Sequence, residues 1–235
     1  MRTLTLTPHT NIHALGSCTI TQGNTVVLCT VSLDTLPPWL QGKNRGWLTA
    51  EYNMLPSATH TRSKRERTKI SGRTQEIQRF ISRALRAMLD LSKIPHSLII
   101  DCDVLQADGG TRTASITGSA VALAFALKKL NLSHAQTGLV SAISVGLKDS
   151  VLFTDIDYAL DSTIDIDMNL CFHHNVITKM VEIQGAAEGA LFSQDDLNRM
   201  LAAALDASAG IFVMQQSAIE KGLLSVPDTA AKSPL

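Results

Sequence analysis

The sequence has few aromatic residues, no excess of charge of either sign and no long apolar run. Only 4% of its residues are Phe, Trp or Tyr, and 21 Lys and Arg balance 21 Asp and Glu. No stretch of about 18 apolar residues suggests a membrane span, and the N-terminus lacks the apolar segment of a signal peptide. We therefore expect a cytoplasmic protein without a membrane partner.

No two of the four cysteines form a CxxC pair. Cys29, Cys102 and Cys171 lie in apolar runs typical of strands, and Cys18 stands apart. This spacing favours buried, reduced thiols over disulfides or a metal site.

The zero net charge argues against nucleic-acid binding until the distribution of the charges is considered. Six Lys and Arg residues lie between Arg62 and Arg73 and are opposed only by Glu66. We call residues 62–73 the basic arm. Such a segment is either a solvated loop or an electrostatic contact for a polyanion, and the excess of cations favours RNA or phosphate.

The apolar pattern predicts one α/β (α+β) domain over residues 1–222, with mixed sheets packed on buried helices, and a disordered tail over 223–235. Residues 19–22 and 25–31 suggest a hairpin across Gly23 and Asn24. Helical spacing predicts an amphipathic helix over 73–91, a buried helix over 113–130 and a last helix that Ser193 caps. Further strands are predicted at 46–52, 97–105, 139–147, 151–157, 168–172 and 176–183.

A glycine turn, Asp108–Thr113, separates a predicted strand from the buried helix. Two glycines permit close approach of the backbone, and the helix start offers free N–H groups to an anion. Arg112 adds a forked cation that matches phosphate oxygens. The alternative is an ordinary turn with Thr111 or Thr113 as the helix cap. Arg73 opens the other long helix, where it either reaches the same anion or is simply solvated.

Five aspartates with odd numbers follow, at 155, 157, 161, 165 and 167. In an extended chain they would share one face. Such a face is either exposed to water or able to hold a hard cation such as Mg²⁺. A turn at Ser162 and Thr163 would break this alternation. The pair His173–His174 has no further ligand at a metal-binding spacing.

The glycine turn, the aspartates and several further segments together resemble the ribonuclease PH family. The resemblance extends from about Arg2 to about Glu220, and Asp101–Gly118 carries its most specific motif. The other matching segments are Gly46–Tyr52, Met54–Pro56, Thr59–Arg62, Gly72–Thr74, Glu76–Arg79, Asp161–Ser162, Asp167–Asn169 and Glu182–Gly189.

The resemblance implies the ribonuclease PH fold and a homohexameric ring built as a trimer of dimers. It implies a 3′→5′ exoribonuclease in which inorganic phosphate, as co-substrate, releases nucleoside diphosphates from precursor tRNA and other RNA, with Mg²⁺ as the expected cofactor. The rival interpretations are a non-catalytic ring subunit, which tends to lose the site residues, and a phosphate- or nucleotide-binding protein without nuclease activity, which leaves the basic arm unexplained.

The resemblance also implies roles for individual residues. Phosphate-binding residues are expected at Arg73, Gly110, Thr111 and Arg112; catalytic and metal-binding aspartates at Asp161 and Asp167; and tRNA-binding arginines at Arg62 and Arg65. Four features depart from the family pattern. Ser57 replaces a third tRNA-binding arginine, the loop between Arg65 and Arg73 is shorter, about ten residues before the first strand are missing, and the tail after Gly222 has no counterpart.

Overall fold

The first half of the chain forms a five-stranded mixed sheet in the order β1-β2-β3-β5-β4. In the computed structural model, which describes residues 1–66 and 68–225, its strands are β1 (Leu4–Pro8), β2 (Gly16–Gln22), β3 (Thr25–Asp34), β4 (Trp47–Met54) and β5 (Ser97–Gln106). The predicted hairpin is confirmed, since Gln22 pairs with Thr25 across the turn.

Strands β4 and β5 are parallel neighbours, whereas the other pairs in this sheet are antiparallel. The C-terminal ends of both strands therefore lie at the same end of the sheet. Helix α1 (Gly72–Arg86) follows β4 after the basic arm, and helix α2 (Thr111–Lys129) follows β5 directly. This topology brings the starts of the two helices together.

The second half forms a four-stranded antiparallel sheet in the order β7-β6-β8-β9. Its strands are β6 (Leu139–Lys148), β7 (Val151–Thr154), β8 (Ile166–His174) and β9 (Lys179–Ala187). Between β7 and β8 lies the short helix α3 (Tyr158–Asp161), and the long helix α4 (Gln194–Ser225) follows β9.

Helix α2 is the centre of the core. Every residue from Thr113 to Leu127 is buried, because the helix packs against β2 and β3 of one sheet and β6 of the other. Small side chains on nearly every face of this helix allow that close approach on both sides. The predicted α/β fold with buried helices is confirmed.

Helices α1 and α4 end several residues away from their predicted ends, whereas the boundaries of α2 lie within two residues of the prediction. Helix α1 ends at Arg86 and not at 91, because the amides of residues 87, 88 and 89 bond three residues back and close tight turns. Helix α4 continues to Ser225, so residues 223–225 are helical and not part of the predicted tail. The rest of that tail, 226–235, lies outside the described residues.

Helix α4 is long and apolar enough to cross a membrane by length and composition, which the sequence patterns did not indicate. Its contacts with β1, β6 and α2 fix it in the globular fold. Only 22% of its most apolar window is buried, and Leu205 and Val213 are exposed. Part of its apolar surface is therefore exposed.

All four cysteines are buried free thiols, as the spacing predicted. Burial raises the pKa of Cys18 to about 12, and it raises the pKa values of Cys29 and Cys171 well above their ordinary range. These thiols are packing residues and not nucleophiles.

Candidate active site

One cleft of about 1050 Å³ receives side chains from both halves of the chain. The starts of α1 and α2 form one wall, and α3, β8 and β9 form the opposite wall. Six of the predicted site residues line it: Arg73, Gly110, Thr111, Arg112, Asp161 and Asp167. Arg62 and Arg65 do not line it.

The glycine turn at the start of α2 has the conformation that only glycine adopts readily. Gly109 and Gly110 have φ values of 74° and 64°, and a Cβ on Gly109 would lie 2.6 Å from the backbone oxygen of Ile156. Both the backbone conformation and the crowding therefore require glycine at position 109.

The helix cap is Gly110, and not Thr111 or Thr113 as the sequence alternative had it. No side chain accepts a hydrogen bond at this cap, and Thr113 instead donates its hydroxyl to the carbonyl of Gly110 at 2.9 Å. The first amides of α2 are consequently available, together with the positive end of the helix dipole, to an anion in the cleft.

Tyr52 is a site residue to which the sequence analysis assigned no role. Its hydroxyl lies 2.7 Å from Oγ1 of Thr111, and burial raises its pKa to about 12, so the phenol stays neutral. The inward face of β4 also carries Leu48 and Ala50. A tyrosine on an otherwise apolar, buried strand face needs a hydrogen-bond partner for its hydroxyl. The sequence pattern at Tyr52 could therefore have indicated a polar contact here.

Two arginines reach the cleft from adjacent helix starts. Ser71 caps α1 by accepting a hydrogen bond from the amide of Thr74, which places Arg73 in the first turn. Arg112 occupies the equivalent turn of α2 and lies 3.5 Å from Oε1 of Glu76. This weak, partly exposed ion pair leaves both guanidinium groups able to bind a phosphate.

Two carboxylates face these cations from the opposite wall. Asp161 ends α3, and Asp167 lies on β8. Burial, followed by the charge of Asp161, raises the pKa of Asp167 to about 6, although Arg112 and a hydrogen bond from Asn169 act in the opposite direction. The pair is thus a concentration of negative charge that a cation or a proton stabilises.

The predicted shared face of five aspartates is wrong, because α3 interrupts the extended chain. Asp155 is buried and paired with Arg2. Asp157 caps α3 by accepting from the amide of Leu160 at 2.9 Å. Asp165 lines the cleft, but one of its oxygens accepts from the amide of Asp149 at 2.8 Å.

The described part of the basic arm lies beside the cleft. Thr59, His60 and Thr61, just before it, line the cleft, whereas Arg62 and Arg65 are exposed outside it. The charge of Arg65 lowers the pKa of Asp103 on β5, opposing the dominant effect of burial, which raises it. Arg67 lies outside the described residues.

The carboxylates in the cleft suit a hard cation that the protein and a bound substrate hold together better than a metal ion that the protein holds alone. Among residues 1–66 and 68–225 no group of three or more His, Cys, Asp or Glu could hold a metal. Mg²⁺ commonly takes one or two carboxylates plus phosphate oxygens, and Asp161 with Asp167 fits that pattern. His174 instead lies 2.8 Å from the hydroxyl of Ser141, inside the core.

Comparison with known proteins gives a consistent result. The family model described as "3' exoribonuclease family, domain 1" matches residues 1–128. Ribonuclease PH from Neisseria meningitidis serogroup C is 47% identical over 228 residues, which cover 93% of each chain. Ribonuclease PH from Neisseria gonorrhoeae has the same identity and coverage.

Solved structures share the fold at low identity. Rice Rrp46 superposes with a TM-score of 0.77 at 18% identity, covering 94% of this chain and 95% of that one. A chain of the Archaeoglobus fulgidus exosome with RNA bound to the active site gives 0.74 at 18% identity, covering 89% and 87%.

Proposed function

Because the chain belongs to the ribonuclease PH family, we propose that its cleft is the active site of a phosphate-dependent 3′→5′ exoribonuclease acting on precursor tRNA. Inorganic phosphate is the co-substrate, and nucleoside diphosphates are the products. The observation that carries this assignment is the meeting of two helix starts, with Arg73 and Arg112, opposite the carboxylates Asp161 and Asp167 in one cleft.

The phosphate wall neutralises the nucleophile. Inorganic phosphate and the RNA backbone are both anions, so they approach each other only if positive charge separates them. Arg73 and Arg112 supply two guanidinium groups, and the turn at Gly110 and Thr111 supplies backbone amides. Tyr52 fixes the side chain of Thr111, which orients its hydroxyl toward the same anion.

The reaction exchanges one phosphorus–oxygen bond for another. An oxygen of inorganic phosphate attacks the phosphorus of the last phosphodiester, and the bond to the 3′-oxygen of the preceding nucleotide breaks. The terminal nucleotide leaves as a nucleoside 5′-diphosphate, and the shortened RNA keeps a 3′-hydroxyl after its oxygen gains a proton. Asp161 and Asp167 lie on the wall assigned to this leaving oxygen, where they assist either by holding a cation or by passing that proton.

Mg²⁺ is the cation that we assign to this part of the cleft, where Asp161 and Asp167 would hold it. Bound there, it would stabilise negative charge on the leaving oxygen. Burial and, after it, the charge of Asp161 raise the pKa of Asp167, and a cation bound at this pair would offset both effects, which supports the assignment.

The basic arm is the proposed contact for the body of the tRNA. Arg62 and Arg65 are exposed beside the cleft and outside it, so they suit phosphates upstream of the reacting end. Contacts of this kind add affinity without sequence preference. Ser57, also exposed, removes one such contact relative to the family pattern.

Assembly as a homohexameric trimer of dimers is supported by the apolar surface of the second half. Among the described residues, β9 is an edge strand without a second neighbour, and its Met180 and Ile183 are exposed. Val176, Ile177 and Leu191 beside it are more exposed still. An open apolar edge of this kind is normally covered by a partner. The four reduced thiols support the cytoplasm as the location.

The test is incubation of the protein with a 3′-extended precursor tRNA and Mg²⁺, with and without inorganic phosphate. We expect nucleoside diphosphates only when phosphate is present, and RNA ladders that shorten from the 3′ end. Nucleoside monophosphates, or trimming at the same rate without phosphate, would identify hydrolysis and overturn the proposal.

A further inference from the structure

Arg2 makes contacts that the proposed mechanism does not use. Its backbone amide donates to Oδ2 of Asp155 at 2.6 Å, and its Nη2 donates to Oδ1 of the same carboxylate at 2.5 Å. Its Nη1 donates to the carbonyl of Asp108 at 2.6 Å. One side chain therefore joins the start of the chain, the turn before α2 and the segment before α3.

The carboxylate of Asp155 is buried, and both of its oxygens accept hydrogen bonds from Arg2. The side chain of Asp155 is 1% exposed, and Gln22 adds a hydrogen bond to Oδ1 at 2.8 Å. The backbone of Asp155 has a φ of 66°, an uncommon conformation for a residue other than glycine. A buried charge and an uncommon backbone conformation both need support from their surroundings, and Arg2 provides it.

On one side, this pair holds the phosphate-binding turn. The space where a Cβ of Gly110 would stand lies 3.1 Å from Nη2 of Arg2, so the guanidinium group lies directly against the turn. A Cβ on Gly109 would stand closer still to the next segment, 2.6 Å from the backbone oxygen of Ile156 and from the carbonyl carbon of Asp157. Thr25 holds the turn from β3, through a hydrogen bond of 2.6 Å to the carbonyl of Gly109.

On the other side, the pair holds the wall that carries the carboxylates. The amide of Asp155 donates to the carbonyl of Ser144 at 2.7 Å, and the amide of Ile156 donates to the hydroxyl of Ser144 at 3.0 Å. The next residue, Asp157, caps α3, and α3 ends at Asp161. The chain from Asp155 to Asp161 thus begins at the residue that Arg2 fixes.

Arg2 itself does not line the cleft, and its Nε is buried without a hydrogen-bond partner among the described residues. An unpaired buried donor costs folding free energy, and the bonds from Arg2 to Asp155 and Asp108 offset that cost. We propose that Arg2 and Asp155 are positioning residues that set the separation between the phosphate-binding turn and the carboxylate wall. This inference rests on the proposed function of the cleft.

The experiment compares Arg2→Met with Arg199→Met. Arg199 is a matched control because it also bridges distant segments, from Asp196 on α4 to the carbonyl of Ser150, but stands outside the cleft. In steady-state phosphorolysis of a 3′-extended tRNA, we expect Arg2→Met to raise the KM for phosphate and lower kcat, each about tenfold or more. Arg199→Met should keep both near the wild-type values.

Two further variants keep the test decisive if Arg2→Met fails to fold. Arg2→Lys keeps the positive charge but loses the two-armed guanidinium group. Its melting temperature should therefore be closer to the wild-type value than its KM for phosphate. Asp155→Asn should repeat the kinetic defect, because an amide donor would then face another donor. A folded Arg2 or Asp155 variant with the wild-type KM for phosphate overturns the inference, as does a defect confined to the melting temperature.

Amide hydrogen exchange separates this inference from the proposed function. In Arg2→Met, exchange at residues 109–114 should rise above that of wild type, whereas Arg199→Met should leave it unchanged. If wild type shows no phosphate-dependent release of nucleoside diphosphates but this increase is seen, the function fails and the structural coupling stands. If exchange at the turn is unchanged, the coupling fails whatever the activity.

Discussion

The hydroxyl of Tyr52 and the hydroxyl of Thr111 lie 2.7 Å apart, although 59 residues of chain separate them. Tyr52 belongs to β4 and Thr111 to the first turn of α2. The contact therefore joins the five-stranded sheet to the proposed phosphate-binding turn, and it gives the buried phenol a hydrogen-bond partner in the cleft.

Replacing Tyr52 with Phe removes this hydrogen bond and leaves the ring in place. We expect the KM for phosphate to rise severalfold, because Thr111 loses its fixed orientation, and the free energy of unfolding to fall by about 1 kcal/mol. Phosphate titration of phosphorolysis and urea unfolding measure the two effects. An unchanged KM for phosphate together with a raised KM for RNA would contradict the assigned role.

Removing the guanidinium group of Arg73 should affect phosphate above all. We expect Arg73→Ala to lower kcat/KM for phosphate by about a hundredfold or more, since one preorganised cation is lost from the wall that neutralises the nucleophile. Arg79→Ala is the matched control, because Arg79 is exposed on the same helix and does not line the cleft. Equal losses in the two variants would assign the effect to the helix and not to the site.

Asp167 should make stability depend on pH in the direction opposite to most carboxylates. Its pKa is raised to about 6, against about 3.9 in an unfolded chain, so the folded state binds more protons in that interval. Stability contributed by the protonated form is present below pH 4 and is lost as pH rises through 6.

Urea unfolding in EDTA tests this sign. Asp167→Asn should be more stable than wild type at pH 7.5 by up to about 2 kcal/mol, and equally stable near pH 4, while its turnover falls. Asp206→Asn, which changes an exposed carboxylate on α4, should show no such pH dependence. A gain for Asp167→Asn that is the same at both pH values would indicate better packing and not removal of a destabilised charge.

The basic arm should control RNA binding and its salt dependence. We expect Arg62→Ala and Arg65→Ala each to weaken tRNA binding and to reduce the slope of log K against log salt concentration by about 1, with the KM for phosphate unchanged. Ser57→Arg should have the opposite effect on binding. Arg45→Ala, an exposed arginine outside the arm, should leave the slope unchanged. Binding isotherms over a salt series provide the measurement.

Removing divalent cations should stop turnover and leave RNA binding largely intact. With EDTA present, we expect no release of nucleoside diphosphates, and Mg²⁺ should restore it. Asp161→Asn should raise the Mg²⁺ concentration needed for half-maximal activity, because one of the two proposed carboxylate ligands becomes a neutral amide. Full activity of the wild type in EDTA would exclude Mg²⁺ as the cofactor.

The features that the sequence predicted correctly depend on contacts along the chain. The hairpin at Gly23 and the buried helix α2 follow from local periodicity and turn residues. The glycine turn at Gly110 was also visible, because strand, glycines and helix follow one another directly. The meeting of Arg73 and Arg112 required one more fact, the parallel pairing of β4 and β5, which no local pattern specifies.

The features that the sequence did not predict depend on distant contacts or on short local structure. Helix α3 has only 4 residues, which is too few to give a helical periodicity in the sequence. Because it interrupts the extended chain, the aspartates expected on one face have separate roles. The pairing of Arg2 with Asp155 spans 153 positions. Neither residue is distinctive until the fold places them together.

Helix α2 begins in the cleft and continues through the centre of the molecule, buried from Thr113 to Leu127. The start of this helix, which is the proposed phosphate site, therefore cannot shift independently of the two sheets that enclose it. Substitutions deep in the core, far from any substrate, will alter phosphate affinity whenever they tilt the helix. Conversely, if phosphate binds at the proposed site, saturating phosphate should stabilise the whole protein against unfolding, so the supply of this substrate would set the stability of the enzyme.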